Sequence, residues 1–224
     1  MMSSRSPRRP VLAVLCMLLL GACAAPSEPT RFYTLEPAAP APPEVPRLRP
    51  SPSAPPLSIG LGPLRLPDLL ERPQIVNRNG SHQVVLAEFD QWAGNLRDAV
   101  YRQMAAQLMG ELQTALVAIE PWSRARTIDY ELQLEVLRFD GAPGDSAMLQ
   151  GVWRLLDGRT GSELRAVSFQ HSAPVPGDDQ LALVGTLSRL LARLTREIGQ
   201  GILAQAQADG SAEEVPPAAV GPAR

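Results

Sequence analysis

Few side chains in this sequence could do chemistry, and they are scattered. The two cysteines are Cys16 and Cys23, and the two histidines are His82 and His171. No His-x-x-x-His pair, cysteine cluster, phosphate loop, dinucleotide fingerprint or Gly-x-Ser-x-Gly elbow occurs. Asp129, Glu131 and Glu135 recur at alternate positions beside Gln133, and paired carboxylates can move protons. Their alternation with Ile128, Tyr130, Leu132, Leu134 and Val136 is, however, the pattern of any strand with one wet face. Nothing here supports an enzyme, a metal centre or a dissociable cofactor. The one nucleophile in a telling context is Cys23, which follows Leu20-Gly21-Ala22 at the end of a short apolar run.

That run has the parts of an export signal. Arg5, Arg8 and Arg9 charge its start, and Val11 to Leu20 is apolar, too short for the roughly 20 residues a membrane span needs. The Leu-Gly-Ala-Cys tetrad resembles the lipobox of bacterial lipoproteins. An ordinary secretory signal that happens to end near a cysteine is the alternative. By the resemblance, residues 1–22 are removed, Cys23 becomes the first residue, and its thiol carries a diacylglyceryl group. That covalent lipid is the only prosthetic group expected, and two or more chains hold a protein stably to a bilayer. Ala24 stands where an Asp would favour inner-membrane retention in enteric lipoproteins, so the implied site is the periplasmic face of the outer membrane.

Processing also simplifies the composition. Loss of Cys16 leaves Cys23 alone, so no intrachain disulfide can form. Loss of three arginines leaves 18 bases against 23 acids, a charge of -5, and the chain has no lysine. A mildly acidic chain without a basic run argues against a nucleic-acid partner.

The elements follow from pattern. Phe32 to Leu35 reads as a short strand, and Glu36 to Pro56, with nine prolines in 21 residues, as a stiff connector. Leu57, Ile59 and Leu61 alternate with Ser58, Gly60 and Gly62 as a half-buried strand. Gln74–Arg78 and His82–Glu88 flank Asn79-Gly80, a hairpin signal. Leu96, Val100, Met104, Leu108 and Leu112 predict a helix from Gln91 or Asn95 to about Leu116, with Arg97 and Glu111 intruding on its apolar stripe. Ala115–Ile119, then Ile128–Val136, then Met148–Leu156 and Glu163–His171 read as strands, the last two a hairpin. Asp178 or Asp179 can cap a helix from about Asp179 to Ala206, with Arg189, Arg193 and Arg196 opposite its apolar stripe. The expected organisation is a signal peptide at 1–22 and a lipidated N-terminus, short strand and connector at 23–56. A single α+β domain at 57–207 and a disordered tail at 208–224 follow. Its fold is an antiparallel-rich mixed β-sheet with two long α-helices packed on one face.

Three segments carry a wider likeness: Phe32-Tyr33-Thr34-Leu35, Leu66-Pro67-Asp68-Leu69-Leu70-Glu71-Arg72-Pro73-Gln74-Ile75-Val76 and Gln91-Trp92-Ala93-Gly94-Asn95-Leu96. With the lipobox, they resemble the ABC-type transport auxiliary lipoproteins over about Phe32 to Ala206. Gly94-Asn95 departs from the Glu-Pro common there, though Asn95 can still cap a helix. The resemblance implies a non-enzymatic role beside an envelope system whose MCE-domain protein moves lipid between membranes, with assembly as a homo-oligomeric ring. Rival readings are a periplasmic lipid carrier and a structural lipoprotein touching the cell wall or an assembly machine. Partner-contact candidates are Arg72, Pro73 and Gln74, a Pro-fixed polar loop, and Trp92, a residue type enriched at hot spots. Arg72 could instead pair with Asp68 or Glu71, and Trp92 could simply cover the start of the helix.

Overall fold

The computed structural model describes residues 28–36, 56–113, 116–123 and 127–213, with side chains through residue 210. Cys23, the signal peptide and most of the Pro-rich connector lie outside the described residues. Contacts divide the chain after Thr30, and the fold below is that of the unit beginning at Arg31.

Eight strands form one mixed sheet: β1 Arg31–Tyr33, β2 Ser58–Arg65, β3 Gln74–Asn79, β4 Gln83–Trp92, β5 Leu116–Ile119, β6 Tyr130–Gly141, β7 Ser146–Asp157 and β8 Glu163–Pro174. The helices are α1 Leu96–Leu112 and α2 Gln180–Glu213. One edge of β6 carries β7 antiparallel along its length, and β8 follows antiparallel on β7. The other edge is shared. Its first half pairs with β2, from Ile59↔Tyr130 to Arg65↔Glu135, while Gly141 at its end pairs with Asn77 of β3. The sheet therefore forks, with β5 beyond β2 on one limb and β4 and β1 beyond β3 on the other.

Both helices lie on the face built by alternate strand residues. Leu132, Leu149 and Leu155 of the sheet meet Leu183, Leu187, Leu191, Leu194 and Ile198 of α2, all 2 % exposed or less. The five α1 residues in the predicted stripe are all buried. Polar groups between the helices are paired in part: Gln103 and Gln107 donate to the Ser188 and Ala192 carbonyls at 2.8 and 2.7 Å and Arg196 meets Glu111 at 3.4 Å, while both glutamine Oε1 atoms are buried without a partner. Asn95 caps α1 by accepting from the Arg97 and Asp98 amides, and Asp179 caps α2 by accepting from the Ala182 amide.

Several boundaries differ from the sequence pattern. The first helix stops at Leu112 because Gln113 turns left-handed at φ +48°. The second strand is buried on both faces. A side chain at Gly60 would strike the Trp122 ring at 2.9 Å, so the glycine is the space into which that ring packs. The last helix runs to Glu213, into the segment expected as a disordered tail, in a stretch rich in alanine. Asp209 ties it down, accepting from the Tyr130 hydroxyl at 2.6 Å and from Gln205 at 2.9 Å. Residues 214–224 lie outside the described residues. The acidic face of β6 is half-buried rather than wet, with Glu131 accepting from Gln133 and Glu135 reaching Arg154.

The short strand before the connector belongs to the sheet. β1 runs parallel to the end of β4, from Arg31↔Asp90 to Tyr33↔Trp92. Its anchor is Asp90, 6 % exposed. That carboxylate accepts two bonds from Arg31, at 2.7 and 3.0 Å, and one from the Tyr33 hydroxyl at 2.7 Å. Burial raises the Asp90 pKa, but the bonds from Arg31 and Tyr33 outweigh it and hold the carboxyl below its ordinary value. Burial and the bond to Asp90 push the Tyr33 hydroxyl up to about 12.

The signs predict pH behaviour. A lowered folded pKa makes the Asp90 contribution complete above about pH 4 and lost as pH falls through the folded value. The Tyr33 contribution is complete below about pH 10 and lost as pH rises toward about 12. The Ala93 amide, which donates to the Tyr33 carbonyl at 2.7 Å, should therefore lose protection against exchange, relative to its intrinsic rate, at both extremes. Asp90→Asn should cost about 1–3 kcal/mol at neutral pH, at the modest end because Arg31 is more than half exposed, and should flatten the acid limb. An unchanged acid limb in that variant would refute the assignment.

Candidate functional site

The connection from β2 to β3 must cross the fork of the sheet. Leu66 and Pro67 leave β2, Asp68–Leu70 makes one 3-10 turn, and Pro73 delivers the chain to β3. Leu66 and Leu70 are buried and fix the connection to the core. Its far end is stitched to β4, because the Trp92 amide donates to the Pro73 carbonyl at 2.7 Å. Immediately after Trp92 the chain turns into α1 through Gly94, at φ +155°, a conformation disfavoured for any residue with a Cβ.

These pieces surround an open groove of about 310 Å³. Leu66, Leu70, Trp92 and Leu96 supply its apolar lining, and Glu71, Arg72 and Arg97 its charges. Three of the residues singled out from sequence thus converge: Arg72, Pro73 and Trp92 line one groove. Gln74 lies just outside the lining, as the first residue of β3, with its backbone opposite Gln91. Cys23 lies outside the described residues.

The charges sort themselves unexpectedly. Glu71 is bound by Arg97 from the first turn of α1, not by Arg72. Among the described residues Arg72 makes no ion pair, and its Nε is buried without a hydrogen-bond partner. Trp92 is 6 % exposed and belongs to the core while forming one wall of the groove. Sequence reasoning missed Arg97, whose partner is 26 residues away; its intrusion on the apolar stripe of α1 was the available signal. The histidines take no part. His82 is exposed near the β3–β4 turn, and His171 is buried in β8, stacked on Phe169 and 3.0 Å from Glu197.

A forked mixed sheet covered on one face by two helices, with an open groove at the fork, defines a single α+β domain. More particularly, the chain belongs to the family of ABC-type transport auxiliary lipoprotein components, which matches residues 33–199. No curated protein matches it significantly. Solved structures share the fold. A protein of Xanthomonas campestris from the DUF330 family is 18 % identical, with a TM-score of 0.63 over 81 % of this chain and 99 % of its own. A crystal structure of an uncharacterised protein is 20 % identical, with a TM-score of 0.60 over 78 % and 99 %.

The two kinds of groove residue should respond differently to substitution. Trp92→Ala empties a buried wall and should cost about 3–5 kcal/mol in chemical denaturation. Arg72→Gln breaks no ion pair or hydrogen bond among the described residues and keeps most of the aliphatic stem, so it should change stability by less than about 0.5 kcal/mol. Equal losses would show that Arg72 is a structural residue.

Proposed function

We propose that this protein is a lipid-anchored docking component of an MCE-type envelope transport system, held to the periplasmic face of the outer membrane through acylated Cys23. The observation that carries the reading is family membership over residues 33–199, nearly the whole described domain. The lipobox-like Leu20-Gly21-Ala22-Cys23 supports the anchor, and Ala24 supports the outer membrane. Among the described residues no helix is long and apolar enough to cross a membrane, which fits attachment through lipid. The domain contributes contact surface rather than chemistry, and a homo-oligomeric ring would present several copies of that surface to a hollow MCE partner.

Packing favours docking over carrying. A carrier needs room for an acyl chain between sheet and helices, and that interface is filled by Leu149, Leu155, Leu187, Leu191 and Ile198. The groove lies elsewhere, at the fork, and is open.

Two measurements test the proposal. Cys23→Ser should leave the domain folded but move it from the membrane fraction to the soluble fraction; unchanged membrane association would remove the anchor. Affinity capture of the intact lipoprotein from crosslinked envelopes should recover an MCE-domain protein. Recovery of only cell-wall or outer-membrane components would replace transport docking with a structural role.

A further inference from the structure

We infer that the groove at the fork recognises a carboxylate, and specifically an acidic side chain flanked by apolar residues on a protein partner, with Arg72 as the cation that receives it. The inference deepens the docking reading and rests on it for the nature of the partner.

The first support is the state of Arg72. Its Nε is buried without a partner, although Asp68 and Glu71 stand close by in sequence. Asp68 is exposed, and Glu71 is occupied by Arg97. Arg72 lines the groove, a guanidinium presents its donors in a fixed fork that matches a carboxylate, and such a bond would give this unpaired cation a partner. The second support is the lining. Leu66, Leu70, Trp92 and Leu96 would exclude water on the side of the incoming charge that they line, strengthening its attraction to Arg72.

Size and charge narrow the class. At about 310 Å³ the groove is at the small end of ligand sites, right for one side chain and its apolar neighbours. With Glu71 on the rim balanced by Arg97, the groove is left with the single positive charge of Arg72, which matches one carboxylate rather than a doubly charged phosphate. An acidic residue between apolar ones is the complement of this lining: charge on Arg72, hydrocarbon on Trp92 and the leucines.

The test uses the full-length acylated protein in detergent micelles and two blocked tripeptides, acetyl-Leu-Glu-Leu-amide and acetyl-Leu-Gln-Leu-amide. Binding is read from the Trp92 indole N–H resonance. The glutamate peptide should bind roughly tenfold tighter than its glutamine counterpart, the scale expected for a charge-assisted pair in a partly dry site. In Arg72→Gln that preference should vanish while the fold and the weak apolar binding persist. Should Arg72→Gln fail to fold, folded Arg72→Lys should keep a reduced preference, and its complete loss of preference would count against the inference. Equal binding of the two peptides, or a preference untouched by Arg72→Gln, would overturn it. Inorganic phosphate binding more tightly than the glutamate peptide would also overturn it, in favour of a phosphate-bearing ligand. If the peptides discriminate but envelope capture recovers no MCE-domain protein, the carboxylate site stands and the transport partner does not.

Discussion

The constraint on which this fold depends is that β6 shares one edge between two strands, and the second of them has almost no ladder. β3 meets β6 through a single matched pair, Asn77 and Gly141. What holds it there is Asp140, 3 % exposed at the side chain, which accepts from Arg78 of β3 at 2.6 Å and from Arg138 of β6 at 2.7 Å. One carboxylate between two guanidiniums compensates for the missing backbone bonds. A buried pair of this kind adds little net stability over a hydrophobic substitute, but removing one partner leaves the other unpaired and is costly. The interaction therefore acts mainly as a register lock. The register shift in β6 between Val136 and Arg138 places the arginine to meet it.

Because the fork is locked, the chain that spans it is also placed. Leu66 to Pro73 has to pass from one limb to the other, and its position fixes Arg72 opposite the start of α1. The same limb carries the connection to the N-terminal segment. Asp90 holds β1, and two residues later Trp92 holds Pro73 through its amide. A pull on the segment before Arg31 would thus load β1, then Asp90, then the wall of the groove. The groove is tied to the edge strand β1 by backbone bonds and an ion-pair cluster.

How much of this was legible in the sequence depends on the range of the interaction. Elements with strong local periodicity came through: the α1 stripe from Leu96 to Leu112, the β6 alternation and the Asn79-Gly80 turn, where Gly80 sits at φ +66°. The second strand misled because Gly60 looks like a solvent-facing position, whereas its missing side chain admits a tryptophan from 62 residues away. The last helix was cut short because the segment around Ala208 is small and polar, and its tie to Tyr130 spans 79 residues. Arg72, Pro73 and Trp92 could be singled out as motif residues, but not that they share a groove. Nor could sequence show that Glu71 is claimed by Arg97, since either arginine satisfies simple proximity.

That last choice decides the character of the site. Had Glu71 paired with Arg72, the loop would be an internally neutral turn and the groove an apolar dent with little to select a ligand. Because Arg97 comes from the capped first turn of α1, its backbone is fixed by Asn95, and it can hold Glu71 against the helix. Arg72 is then left on the groove wall, attached to a connection that is itself fixed at both ends. The helix start that completes the fold is thus also what leaves the loop's own arginine free for an outside charge. Fixing both charges beforehand lowers the entropy lost when a partner docks. Recognition at this groove would therefore draw on order already established by the core.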